Sequence, residues 1–161
     1  MQQFLIEECN GEMVEGIEAD DALVIEFLKD PKHSIVATRD KDLAQVEGIR
    51  LYDWKKKEIR YVSPEEAKRN FYTQLLTGDA TDAIRGVPGM GPKTAAKILG
   101  NHTNEKLMFT LTYAEYLRAY GKTAWAAMKE NAQLLFLLRK EEDITNPSTA
   151  WVPPMIPQGS S

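Results

Sequence analysis

Three short acidic clusters govern what this chain can fold into, because each stands where a strand or loop should hand over to a helix. They are Glu18, Asp20 and Asp21 in GIEADD, Asp40 and Asp42 in TRDKDL, and Asp79 and Asp82 in GDATD. Carboxylates at the start of a helix are favoured by its dipole. The third cluster is followed at once by the glycine-rich turn GVPGMG and the basic run PKTAAK.

The residue types point to a metal. Mg²⁺ and Mn²⁺ are hard cations that take oxygen ligands, usually a few carboxylates completed by water and substrate phosphate, so neither histidine nor cysteine is required. A pair of such ions serves phosphodiester hydrolysis, one favouring the attacking water and the other the leaving oxygen. Glu18 and Asp21 stand three apart, as do Asp79 and Asp82, which puts each pair on one face if the local backbone is helical. Asp40 and Asp42 are two apart and would share a side of extended chain at a strand's end. Acids in a helix's first turn are also ordinary caps or solvated faces. Three clusters ahead of a phosphate-binding turn favour the metal reading.

In the segment from Ile84 to Lys97, Gly86, Gly89 and Gly91 permit positive φ and close backbone approach, and Pro92 suits the first turn of a helix. Backbone N–H groups and a helix N-terminus then face outward to an anion, with Arg85, Lys93 and Lys97 adding charge toward a phosphate backbone. The same turn without the lysines would serve equally well as a simple chain reversal.

GIEADD, ATRDKDL and GDATDAIRGVPGMGPKTAAKIL, in this order, resemble the metal-binding and helix-hairpin-helix motifs of the 5′ nucleases. That family includes phage 5′–3′ exonucleases, flap endonucleases and the 5′ nuclease domain of bacterial DNA polymerase I. The resemblance runs from about Glu15 to Leu99, with weaker signatures to about Asp143. It implies that Glu18, Asp20 and Asp21 contribute to a first metal site and Asp40, Asp42, Asp79 and Asp82 to a second. It also implies that Gly86, Gly89, Gly91, Lys93 and Thr94 belong to a hairpin that grips duplex DNA and can hold a potassium ion on its carbonyls. Activity on DNA 5′ ends or flaps during replication, in a bacterial or phage-infected cytoplasm, follows as the expectation.

Full-length relatives begin with an aspartate-bearing strand and build a basic helical arch, and neither feature precedes GIEADD here. The chain reads as the C-terminal two-thirds of a 5′ nuclease. Three explanations stay open: a split enzyme whose N-terminal half is a separate polypeptide, a fragment, or a remnant that binds DNA without cutting it. A sheet lacking that layer should present an unpaired edge and an apolar face, which predicts self-association or a partner.

At 161 residues, 43% hydrophobic and 27% charged, the chain can bury a reasonable core. No stretch is long enough for a membrane span, so a cytosolic location is the default. Cys9 excludes an internal disulfide and reads as an incidental thiol, and His33 and His102 read as turn or surface residues. The net charge of −4 is unusual for DNA binding, but setting the seven motif acids aside turns it into +3. The remaining cations gather at Lys55–Lys57, Lys68–Arg69, Arg85, Lys93 and Lys97, with the Lys55–Lys57 turn read as solvated.

The expected fold class is α/β: a partial parallel-sheet core of the PIN-like kind over about 1–62, then a helical helix-hairpin-helix region over about 63–145 and a proline-rich tail over 146–161. Periodicity predicts a helix over Asp20–Leu28, a buried strand over Ser34–Thr38, strands near Arg50–Tyr52 and Ile59–Val62, and a helix from Ser63 to about Leu76. Further helices are predicted over Leu111–Tyr120 and Lys122–Lys140. Two function classes remain: a metal-dependent nuclease, and a non-catalytic DNA-binding module.

Overall fold

The structure, a computed structural model, describes residues 6–8 and 10–155, so the reading of Cys9 lies outside the described residues, as does the last part of the tail. Helix α1 (Ala19–Lys29) precedes strand β1 (Val36–Ala37), a 3₁₀ turn (Asp42–Gln45), and strands β2 (Arg50–Asp53) and β3 (Glu58–Tyr61). Helix α2 (Pro64–Thr77) leads to a two-stranded ribbon, β4 (Gly78–Asp79) and β5 (Ile84–Arg85). Helices α3 (Pro92–Leu99), α4 (Glu105–Tyr120), α5 (Ala124–Leu135) and α6 (Glu141–Thr145) complete it.

β1 pairs parallel with β2, and β2 pairs antiparallel with β3, so the sheet is mixed rather than purely parallel. Helix α1 buries Val24 and Phe27 against Val36 and Leu51 of this sheet and against Leu43 and Ile49. The expected strand over Ser34–Thr38 shortens to two residues, with Val36 buried while Ile35 and Ala37 are exposed. Ile59 and Tyr61 of β3 are 56% and 61% exposed, so apolar side chains lie open on one sheet face.

Helix α2 joins two cores. Ser63 caps it by accepting a hydrogen bond from the Glu66 N–H, and Pro64 opens its first turn. Its N-terminal Ala67 packs with the α/β core, while Phe71, Tyr72, Leu75 and Leu76 enter a second core with Leu99, Phe109, Tyr116 and Met128. Trp151 closes that second core against Phe71 and Trp125, so the tail lies against the body at this point.

The helix expected over Lys122–Lys140 ends instead at Leu135, where Phe136 turns extended (φ −80°, ψ 115°). The following N–H groups go to the α/β half: Leu137 donates to Gln45 Oε1 (3.2 Å) and Leu138 to Asp21 Oδ1 (2.8 Å). Gln45, 3% exposed, also donates to the Leu135 carbonyl at 2.8 Å. Gln45→Ala would strand these buried backbone groups and should cost about 2–3 kcal/mol in urea denaturation. An unchanged midpoint would mean that water replaces the amide.

Candidate metal centre and nucleic-acid interface

The three acidic clusters reach one region by three different backbone devices. Asp20 lies in the first turn of α1, and Glu18 is its exposed N-cap residue with extended backbone (φ −70°, ψ 147°) and no capping hydrogen bond from its side chain. Glu18 therefore stands at the helix boundary, its carbonyl accepting the Ala22 N–H at 3.1 Å while its own backbone is extended rather than helical. Asp21 is a tie between halves, one oxygen accepting from Leu138.

Asp40 and Asp42 do not share an extended strand. The Asp40 N–H donates to Thr38 Oγ1 (2.9 Å) and the Asp42 N–H to Asp40 Oδ1 (2.8 Å), folding the segment after β1 into a turn that starts the 3₁₀ helix. Asp79 and Asp82 likewise are not helical. Asp79 ends β4, and its Oδ1 accepts the Thr81 N–H at 2.7 Å within the turn to β5. In both places a short polar side chain satisfied its own loop in preference to continuing regular structure.

Electrostatics join these segments. Burial and then the charges of Asp40, Asp21 and Asp82 push the Asp20 carboxyl above its ordinary range. Asp42 is pushed up to about 6 by burial, then by Asp40, with Asp79 and Asp20 adding to it and Lys41 opposing. Asp79 is held below the usual range, chiefly by the Thr81 N–H. Asp20, Asp40, Asp42, Asp79 and Asp82 thus share one neighbourhood of negative charge. Its all-oxygen donor set fits a hard divalent cation in kind. Among the described residues, however, no three carboxylate, histidine or cysteine side chains converge closely enough to hold one metal ion.

The glycine-rich segment divides its labour. Gly78 and Gly86 touch: a Cβ on Gly86 would lie 2.3 Å from the Gly78 nitrogen and 2.4 Å from the Leu76 carbonyl oxygen. Gly89 has φ +73°, which favours glycine, whereas Gly91 is an N-cap residue at φ −104° with open space around it. Sequence reasoning missed the supports beneath this turn. Tyr120 donates to the Gly86 carbonyl and Asn131 to the Arg85 carbonyl, each at 2.7 Å, and no local motif marks either residue. A cleft of about 700 Å³ opens beside them, lined by Arg85 and residues 86–91. Lys93, Thr94 and Lys97 are exposed on α3, while Ala95 and Leu99 on its other side are buried.

No protein-family model matches the chain. In sequence it is 29% identical to a 5′-3′ exonuclease of Mycoplasmopsis pulmonis over 132 residues, covering 74% of this chain and 44% of that protein. It is 33% identical to DNA polymerase I of Rhizobium leguminosarum over 99 residues, covering 53% of this chain and 9% of that protein. The chain resembles the 5′ nucleases. It spans less than half the length of these curated relatives. The fold agrees: a bacteriophage T5 flap endonuclease, solved with DNA and metal ions, matches with a TM-score of 0.50 and 18% identity, covering 91% of this chain and 66% of that one. The mixed α/β architecture with its helical second half is therefore that of the 5′ nuclease fold. No helix among the described residues is long and apolar enough to cross a membrane.

Proposed function

We propose that this chain forms the later part of a metal-dependent 5′–3′ exonuclease or flap endonuclease that hydrolyses DNA phosphodiesters. The observation that carries the reading is the shared charge neighbourhood of Asp20, Asp40, Asp42, Asp79 and Asp82, drawn from three separate segments. Concentrating acids until two of them resist ionisation works against stability and suits a site that receives cations. Glu18 and Asp21 flank this group, Asp21 with one oxygen already engaged.

Mg²⁺ or Mn²⁺ bound there would polarise the scissile phosphate and favour attack by water. The chain's own residues orient the donors: the Asp42 N–H fixes Asp40, and the Thr81 N–H fixes Asp79. The segment 86–91 and α3 would hold duplex DNA by backbone N–H groups, Arg85, Lys93, Thr94 and Lys97. Gly91 supports this, because neither its φ nor crowding inside the protein calls for glycine, while close approach of a phosphate backbone would. A potassium ion in this turn would draw on carbonyls other than those of Gly86 and Val87, which accept from Tyr120 and Met90.

Further acids from an N-terminal nuclease portion would complete the site, and the open face around Ile35, Ile59 and Tyr61 would receive it or a second copy. A cytoplasmic setting goes with this reading. The test is cleavage of 5′-labelled flap and recessed-end DNA in Mg²⁺ or Mn²⁺, by the chain alone and mixed with the N-terminal portion of a related 5′ nuclease. Metal-dependent cutting in either condition that Asp79→Ala/Asp82→Ala abolishes is the expected result. The separation of the carboxylates favours a second reading, a DNA-binding module without catalysis. Duplex binding indifferent to chelation, with no cutting in any mixture, would establish that reading instead.

A further inference from the structure

Beside the acidic group lies a pocket of about 240 Å³ whose walls come from two places, the turn Thr38–Lys41 after β1 and the β2–β3 hairpin. Its cations are Arg39 and Lys41 on one wall and Lys56 and Arg60 on the other, and its acids are Asp40, Asp53 and Glu58. These charges are not equally free. Arg60 is paired with Glu66, and Asp53 is turned into its own hairpin, accepting the Lys55 and Lys56 N–H groups at 2.9 and 3.2 Å. Arg39, Lys41 and Lys56 are exposed, and among the described residues none of them makes an ion pair.

The pocket and the acidic group share a boundary. Asp40 lines the pocket and also acts on Asp20 and Asp42, while Lys41 acts on Asp42 and Asp79. A nucleic-acid strand approaching five carboxylates meets repulsion from like charge, and a cationic wall at the edge of the group offsets it. Lys56 sits on a hairpin whose tip takes the left-handed conformation at Lys57 (φ 57°), so the lysine-rich turn has a defined shape.

We propose that Arg39, Lys41 and Lys56 form a phosphate-binding subsite for the single-stranded 5′ extension of the DNA strand presented to the acidic group. This rests on the nuclease reading and deepens it. The hairpin region holds duplex, and the subsite seats a phosphate of the unpaired strand so that a neighbouring phosphodiester reaches Asp40 and Asp42. An unpaired strand suits a pocket of this size because it presents one backbone at a time.

The test is fluorescence anisotropy with a 3′-labelled DNA hairpin, blunt or carrying a single-stranded 5′ extension, in Ca²⁺. The proteins are the wild type and Arg39→Glu/Lys56→Glu, both substituted positions being exposed, with the fold checked by circular dichroism. The extension should tighten wild-type binding about tenfold, and the variant should lose that gain while keeping its affinity for blunt duplex. Blunt-duplex binding with no gain from the extension, or an equal gain in the variant, overturns the subsite alone. Wild-type protein that binds neither DNA overturns the nuclease reading with it.

Discussion

Gly86→Ala should destabilise the protein by about 3–4 kcal/mol, lowering the melting temperature by about 10 °C. The added methyl would meet the Gly78 nitrogen at 2.3 Å, the Leu76 carbonyl oxygen at 2.4 Å and the Thr77 carbonyl carbon at 2.5 Å, all backbone atoms that no rotamer change can move. Relief would require parting β4 from β5 and breaking the bond from the Val87 N–H to the Leu76 carbonyl, 2.8 Å. The same substitution at Gly91, where nothing lies within 4 Å, should stay within about 1 kcal/mol. Urea denaturation followed by circular dichroism measures both. Equal effects at the two positions would show that the contact between Gly78 and Gly86 does not anchor the hairpin region.

Asp42→Asn is expected to act in opposite directions on stability and on activity. In chelator, the folded state raises the Asp42 pKa from 3.8 to about 6, so between these values it binds more protons than the unfolded chain. Stability therefore falls as pH rises through that window, and the cost is complete above pH 6. Asparagine removes the charge and should stabilise the metal-free protein at neutral pH. The whole shift corresponds to about 3 kcal/mol, but Asp42 is partly exposed, and screening reduces the expected gain to about 1 kcal/mol. Near pH 4 the gain should vanish. Under the proposed function, in which Asp42 holds metal, cleavage by the reconstituted nuclease should fall about 100-fold or more. Melting curves of both proteins from pH 4 to pH 8 decide the first half, and superimposable pH profiles would mean that Asp42 is not strained by its neighbours.

A residue that improves stability when removed is characteristic of a functional site held against the preferences of the fold. Asp20 and Asp42, whose carboxyls are pushed up by burial and neighbouring charge, carry that pattern, whereas Asp79, held below the usual range by the Thr81 N–H, does not. Asp21 is the contrast, because its Oδ1 holds the Leu138 N–H that joins the two halves, and Asp21→Ala would lose that tie as well as a charge.

The sequence determined the elements whose signals are local. Ser63-Pro64 announced α2 and Lys55–Lys57 announced the turn between β2 and β3, because capping and turn chemistry act over a few residues. The family resemblance was legible for the same reason, resting on short motifs in a set order. Tertiary structure alone decided the end of α5, since the competing acceptors for Leu137 and Leu138, Gln45 and Asp21, lie 92 and 117 residues away in sequence. It also decided that Asp40 would lie in the loop after β1, Asp42 at the start of a 3₁₀ helix, Asp79 at the end of β4 and Asp82 in the turn that follows. Helical or extended spacing places side chains only while the backbone stays regular, and here the Asp40 and Asp79 carboxylates drew the Asp42 and Thr81 N–H groups to themselves. The cationic pocket beside them was invisible in sequence for a geometric reason: Arg39 and Lys56 belong to different loops, and only pairing of β1 with β2 brings those loops together.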